Sequence, residues 1–309
     1  MKKLRFLLSV TNDDNDYQIE QAAVARAAAK KAGIDLDIAS AEDNGVVQSQ
    51  QILARVQSPS GSRPDAILFE PAGSTALPQV ARAAATAGIG WAVLSREADY
   101  IVEMRAAYRV PVFTVTPNHK EIGRIQGQQL AALLPEGGLV LNIQGPSQSM
   151  AAQQRHMGLL ETKPESVELR VIKGHWSESS AHKAVSSWLR LSTSRDMQIA
   201  AVCAQDDSMA MGARKAFEEC AHEGRERWLK VPFLGCDGLS KTGQEWVRRN
   251  LLAATVFSAP TAGLAIEIMM QSIKSGTQPT LRTFVATKSI PAIEELASQA
   301  VRARATSSR

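Results

Sequence analysis

LRFLLSVTNDDNDYQIEQAAVARAAAKKAGIDLDIAS, residues 4–40, is the stretch whose reading decides the fold. Leu4–Val10 is an apolar run of strand length, stopped by the polar turn Thr11-Asn12-Asp13-Asp14. Tyr17–Ala32 reads as an Ala-rich amphipathic helix, and Gly33 stands where a left-handed C-terminal cap is expected. Asp35–Ser40 is a second strand. A strand, a helix and a strand in such close succession form the repeating unit of a parallel sheet, because parallel neighbours need a crossover between them.

The same beat continues outward. Val46–Gln57 reads as helix, Ala66–Glu70 as strand, Thr75–Ala87 as helix with Gly88 behind it, and Trp91–Ser95 as strand. It restarts after Thr116-Pro117-Asn118, with helices at Ile122–Leu134, Met150–Glu161, Ala181–Leu191, Ser208–Ala221 and Gln244–Asn250. Strands at Leu139–Gln144, Leu169–Lys173, Ile199–Ala204, Val231–Cys236 and Leu252–Phe257 alternate with them. A helix at Pro260–Ser275, a last strand at Thr283–Thr287 and a C-terminal helix at Pro291–Arg304 complete the chain. Two successive βα arrays predict an α/β protein of two similar, doubly wound parallel-sheet lobes, whose ligands bind beyond the carboxyl ends of the strands.

Composition narrows the function. The net charge of +4 is spread along the 309 residues, with short clusters such as Arg302, Arg304 and Arg309, so direct nucleic-acid binding is not expected. Cys203, Cys220 and Cys236 are odd in number and lack a CxxC spacing, which predicts neither a disulfide framework nor a zinc site. Cys203 and Cys236 lie in apolar runs and read as core residues, and Trp188, Trp228 and Trp246 read as packing or surface residues. No stretch reaches the ~18 apolar residues of a membrane span. Met1-Lys2-Lys3 followed by Phe6-Leu7-Leu8 begins like a secretory signal, but the apolar stretch is short and enters the polar turn directly. The expected address is therefore cytoplasmic, with a periplasmic one as the alternative if the chain has been trimmed.

There is no GxSxG elbow, no GxxxxGK[ST] loop and no GxGxxG after the first strand, so neither nucleophilic catalysis nor a nucleotide cofactor is expected. No cofactor or metal is called for. The strand ends carry amide, carboxylate, guanidinium and aromatic groups instead. Thr11, Asn15, Tyr17 and Gln18 follow the first strand, and Ser95 and Arg96 follow the fourth. Gln144, Arg155, Trp176, Asp206, Asp207 and Asp237 follow strands of the second array. Carboxylates and guanidinium forks match vicinal hydroxyls, and an aromatic ring packs on the C–H face of a sugar. Several of these residues also fit plainer roles: Asn15, Asp16, Asp206 and Asp207 as helix caps, Asp237 before Gly238 as a tight turn, and Trp176 as packing.

The chain resembles the sugar-binding type I periplasmic binding proteins, the ribose-binding group in particular, whose fold is shared by the effector domain of LacI-type repressors. The stretches that carry the resemblance are AVCAQDDSMAMGA (201–213), FLGCDG (233–238), LLAATV (251–256), DAILFEP (65–71), IGWAVLSR (89–96) and QGPSQSMAAQQRHMG (144–158). It implies two lobes joined by a three-strand hinge, with the ligand between them and crossings near 114–118, 257–259 and 285–287. The lobes would comprise 1–115 with 259–285, and 116–258 with 286–309. It also implies ligand contacts at Thr11, Asn15, Tyr17, Gln18, Ser95, Arg96, Arg155, Trp176, Asp206, Asp237 and Ser258. Ser95 replaces a usual acidic residue, Asp206 a common Asn and Ser258 a usual Gln, which points away from ribose itself. The repressors' helix-turn-helix is lacking, since Leu4 already opens the sheet. Tyr100–Arg109 reads as an insertion, and with the C-terminal helix it is a candidate partner or dimer surface.

The expected function is therefore a receptor that closes around a monosaccharide or polyol and hands it to an ABC transporter. A cytosolic sensor of the same fold, signalling to a kinase or regulator, is the alternative. An enzyme on this scaffold would need a nucleophile–base pair, and none is visible.

Overall fold

The computed structural model describes residues 3–73, 76–194, 197–220 and 225–307. In chain order its elements are β1 (Arg5–Val10), α1 (Asp16–Ala32), β2 (Asp35–Ser40), α2 (Gly45–Val56), β3 (Ala66–Phe69), α3 (Pro78–Thr86), β4 (Gly90–Leu94), α4 (Tyr100–Ala107) and β5 (Val112–Pro117). There follow α5 (His119–Leu133), β6 (Gly138–Gln144), α6 (Met150–Thr162), β7 (Val167–Lys173), α7 (Glu178–Leu189), β8 (Ile199–Ala204), α8 (Asp207–Glu218), α9 (Arg225–Leu229), β9 (Phe233–Asp237) and α10 (Gly243–Arg248). The chain closes with β10 (Ala254–Ser258), α11 (Ala262–Ser275), β11 (Arg282–Val285), β12 (Thr287–Ile290) and α12 (Ile293–Ser307).

These elements divide into two compact units, Met1–Pro117 with Pro260–Val285, and Asn118–Ala259 with Ala286–Arg309. The first holds a six-stranded sheet in the order β11-β5-β4-β3-β1-β2, parallel throughout. The second holds a sheet in the order β12-β10-β9-β8-β6-β7, parallel except for β12 against β10.

Strand alternation sends successive side chains to opposite faces. In the first unit Leu7, Ile67, Phe69, Trp91, Val93 and Val112 form one core with Ile52 and Val56 of α2, Val80 and Ala84 of α3, and Ile101 and Met104 of α4. In the second, Leu141, Ile143, Val202 and Phe233 pack with Val185, Phe217, Trp188 and Trp228. Val140, Ala201, Cys203 and Leu234 occupy the opposite face with Leu130 and Leu159. Both buried cysteines are thus core residues, and burial pushes the Cys203 thiol up to about 12. Several helices start on side-chain caps, among them Asn15 for α1, Asn44 for α2, Asn118 for α5, Ser149 for α6 and Ser177 for α7. Gly33 ends α1 at φ 68° and returns its N–H to the Ala29 and Lys30 carbonyls.

Four expectations need correction. Tyr100–Arg109 is not an insertion: Tyr100–Ala107 is the regular crossover helix α4, anchored by buried Ile101 and Met104. The strand it leads to, β5, passed unread because Pro111 precedes it and Pro117 ends it, which made the stretch read as hinge. The expected last strand Thr283–Thr287 divides at Ala286, so that β11 joins the first sheet and β12 the second. α9 was not anticipated. Thr75, the expected start of the third helix, lies outside the described residues.

The C-terminal helix packs on α5, and its Leu296 is fully buried. Leu296→Ala is expected to lower the unfolding free energy by about 2–5 kcal/mol, the range for a buried leucine. Denaturant unfolding checks this; a change within about 0.5 kcal/mol, as at an ordinary surface position, would remove α12 from the core of its unit.

Candidate functional site

In the first unit the residues after β1, β3 and β4 meet around one buried carboxyl. Glu70, directly after β3, is 5% exposed. Gln18 Nε2 donates to its Oε1 and Gln21 Nε2 to its Oε2, each at 2.9 Å. Gln21 Nε2 also lies 2.9 Å from Thr261 Oγ1 and 3.2 Å from Ser95 Oγ, while its Oε1 accepts the Ala262 N–H at 2.8 Å. Gln18 Oε1 accepts the Thr11 N–H at 3.4 Å. Arg96 donates to the Gly73 carbonyl. Burial pushes the Glu70 carboxyl above the ordinary carboxylate range, against the pull of the Gln21 and Gln18 donors, the Arg96 charge and the Ser95 hydroxyl.

In the second unit the centre is Arg155 on α6, 7% exposed. It donates to the Gln205 carbonyl, and its Nε donates to His119 Nδ1 at 3.4 Å. Its guanidinium lies 3.9 Å from Asp237 Oδ1 and 5.5 Å from the centroid of the Trp176 ring. Glycines make this approach possible. A Cβ at Gly123 of α5 would meet the Arg155 carbonyl oxygen at 1.9 Å, and one at Gly145 would meet the Trp176 indole at 2.1 Å. Asp206 caps α8 through the Met209 N–H.

Beside it, Asp207 is 4% exposed and holds the Asp237 turn from behind. Its Oδ2 accepts the Gly238 N–H at 2.7 Å and its Oδ1 the Thr255 hydroxyl at 2.6 Å. Burial and the neighbouring Asp237 charge keep its carboxyl well above the usual range, although the Thr255 and Gly238 donors lower it and Asp206 adds to the rise. Ser258, ending β10, is 1% exposed, and its hydroxyl has no hydrogen-bond partner among the described residues. Such a group costs about 1–3 kcal/mol where nothing satisfies it.

Three of these residues take a backbone conformation that side chains disfavour: Ser95 at φ 59°, Trp176 at φ 60° and Asp237 at φ 96°. Each costs about 1–3 kcal/mol, and such residues collect at ligand clamps and switch regions. All three follow or end a strand at its carboxyl side.

The comparisons with known proteins follow the same outline. A family model described as periplasmic binding protein domain matches residues 6–278. The chain belongs to this family. Among curated relatives, the D-allose-binding periplasmic protein of Escherichia coli is 24% identical over 267 residues, covering 85% of this chain and 82% of its own. The D-apiose import binding protein of Paraburkholderia graminis is 25% identical over 264 residues, covering 84% and 77%. Among solved structures, a galactofuranose binding protein superposes with a TM-score of 0.80 at 22% identity, covering 97% of this chain and 99% of its own. A Caulobacter myo-inositol binding protein gives 0.78 at 18% identity, covering 96% and 95%. The two structural matches establish the periplasmic-binding-protein fold of two parallel-sheet α/β units.

Of the residues singled out in the sequence, Thr11, Gln18, Ser95, Arg155, Asp206 and Ser258 are buried, and Asn15, Tyr17, Arg96, Trp176 and Asp237 are half-buried. Asn15 caps α1, accepting from the Tyr17 and Gln18 N–H groups at 2.9 and 3.4 Å. The capping alternative thus holds for Asn15 and Asp206 alike, and the tight-turn alternative for Asp237-Gly238. Sequence reasoning missed Glu70, Gln21 and Thr261, and named Asp207 only as a strand-end residue or cap. The available signals were a charged residue closing an otherwise apolar strand in AILFEP, and a glutamine one helical turn beyond Gln18. Among the described residues, no group of three or more His, Cys, Asp or Glu side chains is arranged to hold a metal ion, and no helix is long and apolar enough to cross a membrane.

The raised Asp207 carboxyl sets a pH dependence. The folded state binds the proton more tightly than the unfolded chain, so this group's stabilisation is complete below the unfolded carboxylate value of about 3.9 and is lost as pH rises through the folded value. Asp207→Asn is expected to abolish that loss, so the variant's stability relative to the wild type should increase from pH 4 to pH 8. Chemical unfolding across this range checks the sign; a difference independent of pH would show that Asp207 titrates as in the unfolded chain.

Proposed function

We propose that the chain is a solute receptor for one small polyhydroxylated ligand, a monosaccharide or polyol, bound by strand-end polar and aromatic groups. The observation that carries this reading is the set of polar and aromatic side chains at the carboxyl ends of the strands, with Ser95, Trp176 and Asp237 held in strained backbone geometry there. Arg155 donates to ligand hydroxyls, the Asp237 and Asp206 carboxylates accept from them, and Tyr17 and Trp176 offer apolar ring faces to the C–H side of the ligand. The Ser258 hydroxyl gains a partner when the ligand arrives. The names of the allose and apiose relatives favour a periplasmic address and delivery to an import system over a cytosolic sensor.

A thermal-shift screen against pentoses, hexoses, polyols and amino acids tests the ligand class. A ligand at ~100 times its Kd adds about 2.7 kcal/mol of stability. Arg155→Ala and Asp237→Ala are each expected to weaken binding of the selected ligand by about 1.5–3 kcal/mol, the range for a charge-assisted hydrogen bond. Folded variants that bind with wild-type affinity would overturn the assignment of these residues.

Closure around the ligand, the expectation drawn from the family resemblance, predicts compaction on binding. Small-angle X-ray scattering is expected to show a smaller radius of gyration with saturating ligand. An unchanged profile would argue against ligand-driven closure.

A further inference from the structure

Gln205 stands directly after β8 in the second unit and is 1% exposed. Its hydrogen bonds run to β6, to the turn after β6 and to α6. The backbone N–H donates to the Ile143 carbonyl at 2.9 Å, and the backbone carbonyl accepts from the Arg155 guanidinium. The side chain reaches in two directions at once. Oε1 accepts the Gly145 N–H at 2.9 Å, and Nε2 donates to the Ala152 carbonyl at 2.9 Å. These partners fix the orientation of the amide, because a backbone N–H only donates and a carbonyl only accepts. Glutamate in its place would set a carboxylate oxygen against the Ala152 carbonyl oxygen. Methionine would leave both backbone groups without this partner, which is costly at a buried position.

The two segments gripped by this amide are those that set the guanidinium and the ring. Ala152 lies one turn before Arg155 on α6. Gly145 is the floor on which Trp176 packs, so close that a Cβ there would meet the indole at 2.1 Å. The Arg155 guanidinium in turn lies 5.5 Å from the centroid of that ring. One side chain thus sets both the helix that carries Arg155 and the turn that supports Trp176, and the same residue's carbonyl takes the guanidinium. Buried as it is, Gln205 acts on these groups and not on a ligand directly.

We infer that Gln205 is a positioning residue for solute binding: its amide, held in one orientation, keeps Arg155 and Trp176 in the arrangement on which affinity depends. The inference rests on the solute-binding reading above and adds to it a residue that has no ligand contact of its own. Q205E and Q205M, both close to glutamine in size, test it in the full chain. The probes are D-allose, D-ribose and myo-inositol, and the tightest binder among them and the wider saccharide and polyol screen is titrated calorimetrically. Q205M is expected to bind it at least about tenfold more weakly than the wild type. The deficit of Q205E should grow as pH rises from about 5 to about 9, because a protonated glutamic acid can still donate to the Ala152 carbonyl and an ionised one cannot. A role in filling space alone gives no such profile. In the ligand-free chain the Trp176 indole N–H and Arg155 Nε–H resonances should shift in Q205M, while the indole resonance of Trp91, in the first unit, stays in place.

Folded Q205M and Q205E that bind the probe with wild-type affinity throughout this range would overturn the inference and leave the solute-binding reading standing. So would Trp176 and Arg155 resonances that remain unshifted in Q205M. Should neither variant fold, the wild-type chain still decides: the Gln205 side-chain amide protons are expected to exchange slowly with water, and exchange as fast as at a surface glutamine would overturn the inference. If no compound of the screen binds, the solute-binding reading fails, and the inference about affinity with it, even where the resonances shift.

Discussion

Parallel pairing governs where chemistry can stand in this protein. Within each sheet the neighbouring strands run the same way, the antiparallel β12 excepted. A parallel strand has to be followed by a crossover, so each strand's carboxyl end opens into a turn on the same edge as its neighbours'. Side chains distant in sequence thereby become neighbours: Gln18, Glu70 and Ser95 in the first unit, Arg155 and Asp237 in the second. The hydrogen-bonded ladder keeps these positions rigid while the turns between them vary in composition.

Behind that edge lies a second tier of buried polar groups, and its task is orientation. Gln21 ties the end of β4 and Glu70 to the first residues of α11, through Ser95, Thr261 and Ala262. Asp207 ties the Asp237-Gly238 turn to β10 through Thr255. Both arrangements bury a carboxyl group and so raise its proton affinity, which is costly, and that of Asp207 also holds the Gly238 backbone N–H. Glycine serves the same end by absence of volume. The α5–α6 contact is close because Gly123 faces the Arg155 carbonyl and Gly158 faces that of Lys120, which sets the helix from which Arg155 projects.

Much of this was legible in the chain. The alternation of apolar runs with helical stretches marked nearly every element, and polar residues after those runs marked many of the groups that the structure gathers at the strand ends. What escaped notice has specific causes. α4 lay between a strand end and the proline-flanked β5, where Tyr100–Arg109 could be taken for added sequence; buried Ile101 and Met104 show it to be core. Glu70 was absorbed into its own strand because the run before it is wholly apolar. Gln21 sat on a helix face that composition alone marks as solvent-facing, yet it is fully buried.

By itself, the sequence determined the class of fold and the places where its strands end, because both follow from local periodicity and from turn chemistry. It also determined the absence of the phosphate-binding and nucleophile motifs that it could have displayed. Tertiary structure alone decided which strand-end groups are partners. The contact of Gln21 with Thr261 joins residues 240 positions apart, and that of Asp207 with Thr255 joins residues 48 apart. No local pattern encodes such distances. They arise when the sheet order is set, and burial then converts ordinary glutamines and carboxylates into groups whose donors, acceptors and charge must all be accounted for.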